Sequence, residues 1–253
     1  MSIAVGALAL TGGCGSTKEG PRVPAGGGVT TAVSATSSST PKPADLFAAA
    51  VTKVNGQNVK FTIAGDKKGE SMTGSFDSAS GGTKVTGDID GTKVDVIGLG
   101  NDIYIGGLLG PDKWVHAQAS KFKDNAISFL TIADPLYGQK FLSAATGVKQ
   151  DQSGTYSGTV DLTKVTATGQ AKRLADNFAK KAGAAATALP FTATLDGSAA
   201  LSTVKITFPK ADLTGHDLTY DLKITEAGGG AVPVAAPAKN KVTEAPADLY
   251  KGP

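Results

Sequence analysis

Hydrophobic positions along this chain change period several times, and those changes define its elements. Leu46, Phe47, Ala50, Val51 and Val54 recur at helical spacing, with Asp45 placing negative charge in the first turn and Gly56 closing the run. A helix is predicted from about Ala44. The pattern then alternates with period two: Val59, Phe61, Ile63; Met72, Gly74, Phe76; Val85, Gly87, Ile89; Val94, Val96; Ile103, Ile105. Gly, Asn or Asp bounds each run, which reads as an antiparallel meander with hairpin turns. From Asp124 the texture changes, and Ile127, Leu130, Tyr137, Phe141 and Leu142 suggest helical pieces interrupted by Pro135 and Gly138. A strand over 155–162 and a helix over 171–181 follow. Three strands at 191–195, 201–208 and 218–224 end the pattern.

The sum is an α+β domain with a large curved antiparallel sheet of eight or more strands and helices grouped on one face. It occupies residues 44–228. The flanks differ in kind. Residues 14–43 are almost wholly Gly, Ser, Thr, Ala, Pro and Val, and residues 229–253 return to Ala, Pro, Val and Lys. Neither flank offers enough apolar surface to offset the entropy of ordering, so a flexible linker and a disordered tail are expected. A coil of about 30 residues would hold the domain roughly 30 Å from its origin.

The single cysteine, Cys14, excludes an intrachain disulfide and any multi-cysteine metal site. It follows the apolar run Ile3 to Leu10 and the small residues Thr11, Gly12 and Gly13. An apolar run ending in small residues directly before Cys is the pattern of a lipoprotein signal peptide, here residues 1–13. Thr11 stands where that motif usually has Leu, and no Lys or Arg precedes the run, which points to a start truncated at its N-terminus. Cys14 would then carry acyl chains such as palmitate and anchor the protein to the extracytoplasmic face of the cell membrane.

Net charge is +3, with 25 basic residues interleaved among 22 acidic ones. No basic stripe forms, so nucleic acid is not an expected partner. The chain has no Gly-x-Ser-x-Gly elbow, no phosphate-binding lysine loop and no His-Glu-x-x-His motif. Gly98 and Gly100 lack the third glycine of a dinucleotide fingerprint. Asp88, Asp90, Gly91 and Asp95 superficially resemble a calcium loop, but the closing Glu is missing and Asp90-Gly91 fits a two-residue hairpin turn. His116, on a strand beside Trp114, and His216, in a turn, read as polar surface residues. No enzymatic activity, cofactor or metal is expected.

The order of features resembles the LppX/LprAFG family of mycobacterial lipoproteins, related in architecture to LolA-like lipid carriers. The resemblance runs from about Ala44 to Ile224. It rests on Cys14 with its Ser/Thr-rich linker, the helix entering a strand at Gly56 to Gly65, the stretch Asn101 to Val115, the segment Asp134, Pro135, Leu136, and the strand, Asp-Gly turn, strand of Leu189 to Phe208. It implies a half-barrel whose concave face is closed by helices around an apolar cavity for lipid or glycolipid acyl chains. A membrane transporter is a candidate partner. Cavity residues expected on this basis are Phe47, Phe61, Ile63, Phe76, Val96, Ile105, Ile127, Leu130, Phe141 and Leu142. Low aromatic content (6%) and the many small inward positions favour spare volume, although an envelope interaction protein with a filled core would have the same composition.

Overall fold

The computed structural model describes residues 41–64, 71–89, 92–123, 131, 134–210, 216–230 and 233–251. Helix α1 spans Pro43–Asn55, with Pro43 in the first turn, where its missing N–H leaves no hydrogen bond unmade. Its buried stripe is Phe47, Ala50, Val51 and Val54. Six strands follow: β1 (Val59–Ala64), β2 (Ser71–Asp77), β3 (Gly82–Ile89), β4 (Thr92–Leu99), β5 (Asp102–Gly107) and β6 (Gly110–Gln118). Then come α2 (Tyr137–Phe141), β7 (Ala145–Gln150), β8 (Tyr156–Val160), α3 (Gly169–Ala182), β9 (Leu189–Leu195), β10 (Leu201–Phe208), β11 (Leu218–Ala227) and β12 (Val242–Glu244).

All twelve strands join one curved, unclosed sheet in the order β12-β6-β5-β4-β3-β2-β1-β11-β10-β9-β8-β7, with helices on its concave face. Every neighbouring pair is antiparallel except β12 with β6. Two meanders, β1 to β6 and β7 to β11, therefore meet at the β1–β11 pair, where Phe61 lies opposite Ile224 and Ile63 opposite Leu222.

Register carries one apolar face across nearly the whole sheet. A row runs Phe61, Gly74, Val85, Val96, Ile105, Val115 through β1 to β6. A second runs Leu222, Val204, Ala193, Tyr156 through β11 to β8. Apart from the glycine, which shows only its backbone, all of these side chains are buried. Because side chains alternate with period two, a slip of one residue anywhere would send that strand's apolar set to the other face.

Glycines on these elements lie beneath neighbouring side chains. A Cβ on Gly74 would fall 2.5 Å from the Phe61 ring, and one on Gly158 would fall 2.9 Å from the Phe191 ring. Gly87 is covered by Met72 in the same way, at 2.6 Å. In α2, Gly138 sits under Tyr220, whose hydroxyl donates to the Pro135 carbonyl at 3.1 Å. The helix thus approaches the sheet to the width of one ring.

Three sequence expectations change. Strand β7 lies between the helical pieces predicted up to Leu142 and the strand predicted at 155–162, where the pattern predicts no element; it pairs with β8 through Ala145, Thr146, Lys149 and Gln150, whose polar alternation carries no apolar signal. The predicted helix at 171–181 begins earlier, at Gly169. The segment after Gly228 is not a disordered tail over 233–251. Val234 is buried, and Gly82 leaves room for it: a Cβ there would lie 3.0 Å from Val234 and 2.8 Å from Leu99. β12 then pairs in parallel with β6, and the Ala245 N–H donates to the His116 carbonyl at 2.8 Å. Further on, the Gln118 N–H donates to the Tyr250 hydroxyl and the Lys123 N–H to the Tyr250 carbonyl. Backbone bonds to an existing strand edge hold this strap, so it needs no hydrophobic periodicity of its own. Asp90 and Gly91 lie outside the described residues, but the Ile89–Thr92 pairing across them matches a hairpin.

Gly138→Ala tests the close approach of α2. In an exposed helix the change would stabilise by about 1 kcal/mol; here it should destabilise by about 1–3 kcal/mol through overpacking against Tyr220. Thermal unfolding should show a fall in Tm of several degrees, while Gly197→Ala, at a position with open space around it, should leave Tm unchanged.

Candidate functional site

The expected cavity residues divide between two parts of the concave face. Phe61, Ile63, Phe76, Val96 and Ile105 lie on β1, β2, β4 and β5. Register brings Phe61, Val96 and Ile105 into one row, with Ile63 and Phe76 in the rows on either side. Phe76 is half-buried and the other four are buried. This half of the face is aliphatic: Val85, Val94, Ile103, Val115 and Ala117 complete it. Its side chains offer hydrocarbon contact and few polar groups to orient a headgroup.

Phe47, Phe141 and Leu142 belong to the helical layer over the other half. Phe47 stacks on Tyr156 (centroids 5.5 Å apart) and Phe191 (5.2 Å). Phe141 joins Tyr137, Phe178, Phe208 and Tyr220 in a cluster whose closest rings, Phe178 and Phe208, stack at 4.4 Å. Offset and edge contacts of this kind fill space and add about 0.5–1.5 kcal/mol per pair beyond area burial. Burial pushes the Tyr220 hydroxyl well above the ordinary tyrosine range, so it remains a donor to Pro135. Asp134, also buried, accepts two 2.7 Å hydrogen bonds from the Lys140 ammonium. This half is therefore packed core. Ile127, Leu130 and Cys14 lie outside the described residues.

On the opposite face, His116 joins a polar cluster that spans β5, β6 and β12. Its Nδ1 lies 2.8 Å from Glu244 on β12 and its Nε2 lies 2.9 Å from Asp102 on β5, while its ring stacks on Tyr104 at 4.9 Å. Burial opposes charging of the ring, but hydrogen bonds and Coulomb attraction from both carboxylates outweigh it, and the pKa is raised above the ordinary histidine value. Charged, the ring donates from both nitrogens; neutral, it can donate from only one. With both nitrogens taken, His116 clamps the C-terminal strap and leaves no free base. Sequence reading left it as a polar surface residue because Glu244 is 128 positions away. Among the described residues no group of three or more His, Cys, Asp or Glu is arranged to hold a metal ion, and no helix is long and apolar enough to cross a membrane. His216 sits at a bend before β11.

No protein-family model matches the chain, and no curated protein matches it. Among solved structures it is similar to an uncharacterized conserved protein from Thermus thermophilus, at 8% identity and a TM-score of 0.38, over 79% of this chain and 98% of that one. So weak a likeness carries no argument about function.

A histidine whose folded pKa is raised stabilises the strap fully below its unfolded value, near 6.5, and the contribution disappears as pH rises through the folded value. Because both carboxylates are partly exposed, about 1 kcal/mol is expected. Amide exchange at Thr243 to Ala245, corrected for intrinsic rates, should speed up several-fold between pH 6 and pH 9. His116→Ala should be fast at both, and a pH-independent wild type would exclude the clamp.

Proposed function

We propose that this chain is a cell-envelope lipoprotein, anchored through Cys14 on the extracytoplasmic face of the membrane, that binds the acyl chains of lipids or glycolipids and carries or presents them. The observation that carries the reading is the aliphatic half of the concave face: Phe61, Val85, Val96, Ile105 and Val115 in one row of an open sheet. Such a face distinguishes hydrocarbon from water and little else, which suits acyl chains in general.

Energetics favour exchange with a membrane over capture from water. Burying a methylene is worth about 0.8 kcal/mol relative to water, so two long chains would exceed the practical ceiling on affinity if water were the reference. Against a bilayer the transfer is near neutral, and lipid can both load and unload. The reading involves no catalysis and no cofactor.

A second reading is favoured by the aromatic cluster of Tyr137, Phe141, Phe178, Phe208 and Tyr220. A core packed in this way throughout would make the protein an envelope interaction lipoprotein without cargo, acting through its surface.

Mass spectrometry of lipids extracted from the Cys14→Ser chain, purified from an actinobacterial host, decides between them. Near-stoichiometric acylated lipid is expected, with a several-fold loss in Val96→Phe, which fills the aliphatic row. A stable but empty protein would establish the second reading. The same substitution tests the anchor: Cys14→Ser should abolish acyl labelling and release the protein into the medium, because the several chains of a lipoprotein anchor hold far more tightly than one.

A further inference from the structure

Trp114 is the single tryptophan of the chain. Because Val115 beside it is buried on the concave face, alternation turns Trp114 to the opposite face, where it is part-exposed. Gly106 lies opposite it in register, and a Cβ there would stand 3.2 Å from Cη2 and 3.3 Å from Cδ2 of the indole. Those two atoms occupy opposite corners of the six-membered ring, so the ring lies flat on the Gly106 backbone. Among the described residues its N–H makes no hydrogen bond.

Register carries a polar row away from this ring. Asp95 lies opposite Gly106, Thr86 opposite Asp95, Thr73 opposite Thr86 and Thr62 opposite Thr73. The Thr86 hydroxyl donates to Asp95 at 2.6 Å, and Thr73 and Thr86 are exposed. With neighbouring strands about 4.8 Å apart, the row from Trp114 to Thr62 spans roughly 24 Å. Charges beside it come in both signs. Lys93 faces Asp88, Asp112 pairs with Lys241, and Lys84 stands diagonal to Asp95, so no field of one sign selects an ionic ligand.

We propose that this row is a binding track for an uncharged polysaccharide, with one pyranose ring stacked on Trp114 and the sugars that follow hydrogen-bonded to Asp95 and the threonine hydroxyls. A pyranose presents C–H groups on its face and hydroxyls around its edge. The electron-rich face of an indole attracts the first, and side chains that donate and accept suit the second. A proline-rich peptide also docks on aromatic rings, but it needs an aromatic-lined groove and makes little use of a row of hydroxyls. The track lies on the face opposite the aliphatic rows and does not depend on whether lipid is carried.

The test titrates the Cys14→Ser chain with cellohexaose and with its N-acetylated counterpart chitohexaose, following the emission of Trp114, which reports on this site alone. At least one hexamer should give a saturable blue shift, and its disaccharide should bind about tenfold more weakly or worse, because it reaches only the ring. Thr73→Val/Thr86→Val, which keeps side-chain shape and removes the hydroxyls, should weaken the hexamer several-fold. Trp114→Ala, followed by calorimetry, should weaken it about tenfold, which corresponds to about 1.4 kcal/mol. Thr207→Val, on β10 and outside the row, should change nothing. Failure of both hexamers to bind, equal affinity for hexamer and disaccharide, or unchanged binding in the threonine double variant would overturn the proposal. So would a blue shift produced by decaproline and by neither sugar.

Discussion

The pairing of β1 with β11 is the contact on which the rest of the molecule depends. Without it the two meanders would be separate sheets, each with a bare edge at its centre and half an apolar face. Lys60 and Glu226 form an ion pair at 2.6 Å across the junction, but both are about half exposed and contribute little. Side-chain packing of Phe61 and Ile63 beside Ile224 and Leu222 holds the seam. It joins segments from opposite ends of the domain, so its loop-closure entropy must be met before any of its contacts form.

Once the seam exists, its two sides take different roles. Toward β7 the helices bring rings onto the sheet, and Tyr220 and Phe191 occupy the space that Gly138 and Gly158 leave open. Toward β6 the face is valine and isoleucine, with Phe61 and Met72 leaning over Gly74 and Gly87. The first side is packed mainly with rings and the second mainly with aliphatic side chains, and both are buried in one hydrophobic core.

The opposite face solves a different problem. β6 would be an open edge, and the C-terminal strap covers part of it through a three-residue parallel strand, the His116 bridge and Tyr250 packed on Phe122. Each contact is modest, and together they order a segment with almost no apolar periodicity.

Much of the architecture was legible in the residues. Period-two runs from Val59 to Ile105 and from Leu201 to Ile224 became strands, because a half-buried strand must alternate. Helix α1 followed from its apolar stripe, Asp45 in its first turn and the closing Gly56. Five of the expected cavity residues share one part of the concave face, since alternation fixes which side chains point together. Sequence alone thus determined most of the elements, the α+β class and much of the inward set, but neither β7 nor β12. Tertiary structure decided whether inward glycines mean space or the footprint of a neighbouring ring, because that depends on cross-strand register. It also decided that Ala, Pro, Val and Lys after Gly228 form a strap and that His116 meets Glu244. Those outcomes rest on partners far apart in the chain, whose proximity no local pattern encodes.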